Sequence, residues 1–185
     1  MNKFMMTVIF IIGLVAVGWV GWGFVGASWM ALTMTAVIGG VDILGALELR
    51  RFRAATNSLS EALAQIPSEL TDLSAWLQRL HPSLQHPVRL RIEGQRVAMP
   101  GPALTPYLVG LLVMLGMLGT FLGMVVTFKG AVFALEGSAN LEAIRGALAA
   151  PIKGLGLAFG TSVAGVAASA LLGLMSAMTR RERIE

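Results

Sequence analysis

The sequence predicts an all-α membrane protein: four transmembrane helices, with a short amphipathic cytoplasmic segment between the second and third. Three observations predict it. Charged residues make up 13% of the 185-residue chain, about half their share in a soluble domain. The deficit is concentrated, because residues 4–41, 97–128 and 154–179 contain no Asp, Glu, Lys or Arg. About 20 apolar residues cross a hydrocarbon core, so each stretch spans at least once and the first is long enough for two crossings.

Span one is read at residues 4–24. The apolar run exceeds the roughly 7–15 residues of a signal-peptide core and a second span follows, so it reads as an uncleaved signal anchor. An uncharged turn follows at 23–28, ringed by Trp19, Trp22 and Trp29 as an interfacial aromatic belt would be. Span two is read at 29–49, stopped by Arg50, Arg51 and Arg53. These two spans form an N-terminal hairpin over 1–53.

Residues 54–104 are of different material. Leu59, Leu63, Ile66, Leu70, Leu73, Leu77 and Leu80 recur at helical spacing, which predicts one or two amphipathic helices. Pro67 interrupts them, and Ser68 with Glu69 offers a restart. The stretch 88–99 fits two patterns: a strand turning at Glu93–Gly94, or a short helix ending at Gly94. Pro100, Pro102 and Pro106 break regular structure before span three, read at 105–128. A connection with a helical stretch near 141–149 leads to span four at 151–178, stopped by Arg180, Arg181 and Arg183.

If both termini and the 50–104 segment share one side, that side carries eleven Lys and Arg, against Lys129, Arg145 and Lys153 on the other. The positive-inside bias then predicts cytoplasmic termini. The same placement explains the net charge of +4 without nucleic acid. With no Cys, there is neither a disulfide framework nor a thiolate metal site, and two His leave zinc without a ligand set. No phosphate loop, nucleophile elbow or cofactor motif is present, so no enzyme activity is expected. Paired repeats with charged midplane sites, the mark of secondary transporters, are missing too.

The informative residues lie in spans three and four. Gly116, Thr120, Gly123 and Thr127 fall on one arc of span three, and Gly154, Ala158, Thr161, Gly165 and Ala168 on one arc of span four. A second small-residue face of span four carries Gly156, Gly160 and Ala167. Small residues let helix backbones approach closely in lipid. The threonine hydroxyls either bond their own helix or face water or a carboxyl group. Neither span interior holds an acid, so a proton crossing here would need a carboxyl group from a partner helix.

Leu115-Gly116-Met117-Leu118-Gly119-Thr120-Phe121-Leu122-Gly123 resembles the Leu-Gly-x-x-Gly-Thr-x-x-Gly signature of the MotA/TolQ/ExbB proton-channel family. The Gly/Ala-rich run from Gly154 to Gly165, with Thr161, resembles its second signature. The resemblance covers roughly residues 100–180. It implies that 105–185 is a two-helix channel core in the bacterial inner membrane. It further implies a homopentamer around two copies of a MotB/TolR/ExbD-like single-span protein whose Asp carries the ion, with flow driving rotation or mechanical work. Thr120 and Thr161 then match pore-facing threonines, and Gly116, Gly123, Thr127, Ala158 and Gly165 line or shape the same path. Four spans match the MotA branch, whereas the Gly-Thr signature reads more like TolQ and ExbB; ZorA chains of anti-phage systems also carry a MotA-like core, followed by a helical tail. Read without the resemblance, the same residues form the packing faces of a non-conducting scaffold.

Other residues have plainer readings. Asp42 in span two is either a functional intramembrane acid or an acid near the cytoplasmic boundary reached by water, Arg50 or Arg51. Lys129 and Lys153 snorkel to the outer interface, and Glu142 pairs with Arg145 on a solvated face. His81 and His86 are surface loop residues, and Trp76 anchors the amphipathic segment.

Overall fold

The computed structural model of the chain describes residues 3–26, 29–65, 73–97, 99–136 and 141–182. Six helices account for most of them, with no strand among the described residues: α1 (Lys3–Phe24), α2 (Trp29–Ala64), α3 (Leu73–Gln78), α4 (Pro82–Ile92), α5 (Thr105–Glu136) and α6 (Leu141–Glu182). Four of them, α1, α2, α5 and α6, are long and apolar enough to cross a membrane.

Two of these run well past the expected spans. α2 continues as one 36-residue helix through Arg50, Arg51 and Arg53. Those arginines mark where apolar sequence ends, not where the helix ends. No Gly or Pro occurs between residues 46 and 66, and Ala, Leu, Arg and Glu all propagate a helix well. Likewise α6 absorbs the stretch expected as a separate helix near 141–149 and continues through Pro151. Ser68 and Glu69 lie outside the described residues, and the side chains of Glu142, Arg145 and Lys153 are not described.

α6 is the central element, packing along α5 and against α1 and α2. Ile38 and Leu49 of α2, Leu112 of α5, and Ala164, Ala168 and Leu172 of α6 are fully or almost fully buried where the four helices meet. The outward faces are apolar: Met117 and Phe121 of α5 and Phe159 and Val163 of α6 are all about 60% exposed. In water such a surface would aggregate, whereas lipid covers it at no cost. Trp19, Trp22 and Trp29 are exposed together at the α1–α2 turn, where Gly26, two residues past the end of α1, has φ 80°.

A second core lies beyond the basic end of the bundle. Ala55 and Ala62 of the α2 extension pack with Trp76, Leu77, Leu80, Leu84 and Val88. Trp76 is buried, and its indole N–H donates to the Ala62 carbonyl at 3.0 Å. His81 is the N-cap of α4: its ring nitrogen accepts from the Ser83 N–H, and its own N–H donates to Ser58 Oγ at 3.1 Å. Of the two patterns fitted by residues 88–99, the helix forms. It ends in a Schellman turn, with Gly94 at φ 85° and Gln95 N–H donating to the Leu90 carbonyl at 2.9 Å.

Candidate functional site

The small-residue arcs of α5 and α6 face each other along an antiparallel seam of four rungs. Gly116 meets Gly165, Gly119 meets Thr161, Gly123 meets Ala158, and Thr127 meets Gly154. The approach is close enough to require glycine. A Cβ on Gly165 would lie 2.7 Å from the Gly116 Cα, and one on Gly123 would lie 2.8 Å from the Ala158 Cα. A Cβ on Gly119 would sit 2.7 Å from the Thr161 Cβ. These separations are well inside carbon–carbon contact distance.

Six of the seven candidate residues (Gly116, Gly123, Thr127, Ala158, Thr161 and Gly165) therefore lie in this seam. The seventh, Thr120, is half-buried, and its hydroxyl donates to the Met117 carbonyl at 2.5 Å. Thr127 donates to the Gly123 carbonyl at 2.8 Å and Thr161 to the Ala158 carbonyl at 3.0 Å. Each of these hydroxyl protons is thus directed to its own helix. Toward the basic end of the seam, Ser169 Oγ of α6 donates to the Val109 carbonyl of α5 at 3.0 Å.

Beside the seam, a crevice of about 30 Å³ opens between Met30, Ala31 and Met34 of α2 and the Gly119, Gly123 and Thr161 rungs. It is large enough for a water molecule, but a buried water requires two to four polar partners and this lining is dominated by methyl and methylene groups.

The second small-residue face of α6 divides. Gly160 packs under the Phe24 ring of α1, and a Cβ there would meet the Phe24 Cζ at 2.6 Å; nothing approaches Gly156. Asp42 faces inward, 4% exposed, with Oδ2 3.8 Å from the place a Gly13 Cβ would take. It forms no ion pair with Arg50 or Arg51 among the described residues. Arg50 instead lies over the Phe10 ring at 5.3 Å.

Sequence reading had two gaps here. Gly119 and Gly154 are not among the seven residues that the resemblance places on the ion path, although each completes a rung. The other is Glu48, just before the arginines that stop span two: its carboxylate accepts from the Leu104 N–H at 2.8 Å and from the Thr105 hydroxyl at 2.6 Å, at the start of α5. Thr105 followed by Pro106 is a helix-start signal that would have pointed there.

No protein-family model matches the sequence, and no curated protein or solved structure is significantly similar to it. No group of three or more potential metal ligands occurs among the described residues.

Proposed function

We propose that this chain is an ion-channel subunit, conducting protons, of a motor or energy-transducing complex in the bacterial inner membrane. The observation that carries the reading is the Gly-Thr seam of α5 and α6, built from the two stretches that resemble the MotA/TolQ/ExbB signatures. In the proposed assembly five copies surround two copies of a MotB/TolR/ExbD-like single-span protein. The partner brings the acid that α5 and α6 lack in their span interiors. Small side chains let its helix come close, and Thr120 and Thr161 accept hydrogen bonds from its protonated Asp. The excess of Lys and Arg around the 50–104 segment supports cytoplasmic termini.

One observation favours a second reading, a non-conducting membrane scaffold. Six of the seven candidate residues are occupied in packing one helix of the chain on another, and the hydroxyls of Thr127 and Thr161 donate to their own helix. Native mass spectrometry of the complex, extracted from membranes in mild detergent, separates the two. Five copies with two copies of a small Asp-bearing chain support the channel. A symmetric assembly that takes up no such chain overturns it in favour of the scaffold.

A further inference from the structure

Asp42 is the one acid of the sequence set well inside an apolar span; Glu48 stands at the end of span two, beside the arginines. It lies on the buried face of α2 with Thr35, Ile38, Gly45 and Leu49. Its side chain turns into the junction with α1 and α6. Oδ2 is 3.8 Å from the place a Gly13 Cβ would take, and Leu171 Cδ1 of α6 reaches within 3.3 Å of the same place.

The elements packed around the acid bring no charge to it. Residues 4–24 of α1, 105–128 of α5 and 154–179 of α6 contain no Asp, Glu, Lys, Arg or His. On α2 itself the nearest basic residue is Arg50, about 12 Å along the axis, and it lies over the Phe10 ring at 5.3 Å. Asp42 has no hydrogen-bond partner among the described residues. An ionised carboxylate buried without a counter-charge or a donor bears a large desolvation cost, and the acid form avoids most of it. The packing therefore accommodates a neutral acid, whose charge changes only when a proton leaves.

A route for that proton opens nearby. At the basic end a groove of about 230 Å³ runs between α1, α2 and α6, with Thr7, Arg50 and Asn57 among its polar lining. It has room for several water molecules. Its walls reach Phe10 on α1 and Met175 on α6, three and four residues from Gly13 and Leu171. About 4.5–6 Å of helix thus separates the groove from the level of the acid, and Gly13 brings no side chain into that interval.

We propose that Asp42 is a proton-binding site of the chain itself, exchanging its proton with water that enters through the groove at the basic end of α1, α2 and α6. The site lies outside the α5–α6 seam and holds whether or not the seam conducts.

The test is infrared spectroscopy of the purified protein in liposomes. It follows the C=O stretch of a protonated carboxylic acid, which moves to lower frequency when deuterium replaces the proton. The difference between wild type and the near-isosteric Asp42→Asn is expected to contain one such band, and the band is expected to move on transfer to D2O. Because the chain has no Cys, Phe10→Cys carries a single thiol, in the groove wall. Capping it with a bulky, water-soluble methanethiosulfonate is expected to slow the exchange at least fivefold. Asn57→Cys gives a second capping position in the same groove. The same cap on Arg51→Cys, exposed and outside the groove, is expected to leave the rate unchanged. A difference spectrum without the band would overturn the proposal. So would a band that never moves in D2O, which marks a sealed structural acid, or groove caps that slow exchange no more than the Arg51 cap. None of these readouts needs ion flux or a partner chain, so their failure is distinguishable from failure of the channel reading.

Discussion

The Glu48 carboxylate closes the start of α5 across 57 residues of chain, accepting the Thr105 hydroxyl at 2.6 Å. Its second oxygen takes the Leu104 N–H, so two donors at the head of α5 are satisfied by one side chain of α2. The negative charge also opposes the positive end of the helix dipole. Because hydrogen bonds to a charged group contribute about 1.5–3 kcal/mol, Glu48→Ala should lower the thermal unfolding midpoint in detergent. Glu48→Gln, which keeps one acceptor oxygen, should recover part of the loss. An Ala variant as stable as wild type would show that the cap contributes nothing.

The seam predicts a sharp contrast between glycines of the same helix. Gly165→Val drives a side chain into Gly116 and the Leu112 carbonyl and should cost about 1–3 kcal/mol or abolish folding. Gly156→Val enters open space and should leave the folded yield unchanged. Equal behaviour of the two in a thermal-shift assay would contradict the α5–α6 packing.

Thr120→Val and Thr161→Val remove a hydroxyl at nearly constant volume. On the channel reading, either variant assembles normally and loses ion flux by tenfold or more in proteoliposomes under an imposed proton gradient. Full flux in both would remove the threonines from the path and leave them as packing residues.

Asp42 is buried among α1, α2 and α6 with no hydrogen-bond partner among the described residues. Replacing a buried, unsatisfied polar group by an apolar one relieves a desolvation cost of about 1–3 kcal/mol. Asp42→Leu should therefore raise the unfolding midpoint of the isolated chain. A fall would show that Asp42 is paired in the protein as purified, by another chain or a bound ion.

The four tryptophans should report on the membrane boundary. Trp19, Trp22 and Trp29 are about 80% exposed, whereas Trp76 is 7% exposed. Brominated lipids should quench the fluorescence of the first three strongly. A variant with Trp19, Trp22 and Trp29 changed to Phe should be almost insensitive to the same lipids. Strong quenching of the remaining Trp76 would place the α3–α4 core inside the bilayer.

The four spans were legible because lipid imposes a requirement that every stretch meets by itself: enough consecutive apolar residues. The arcs of α5 and α6 were legible for a similar reason, since helical geometry alone puts Gly116 near Gly123 and Gly154 near Ala158 and Thr161. A periodicity identifies a face without identifying what covers it, and the seam partner of each rung emerges only from the fold. The run of α2 beyond Arg53 was masked because charge signals the edge of lipid while helix propensity decides where the helix stops. Glu48 was masked by distance along the chain, because nothing local to an acid names an acceptor-seeking hydroxyl at Thr105.

The 36 residues of α2 form one unbroken rod, about 54 Å long at 1.5 Å per residue. One end packs against α6 in the four-helix unit, and the other carries Ala55 and Ala62 into the α3–α4 core. A rod of that length acts as a lever: a tilt of about 5° at the apolar end sweeps the far end through about 5 Å, close to one helical turn. A small change of angle where α2 meets α6 is therefore a large displacement at the Ala55–Ala62 end, where the second core is attached.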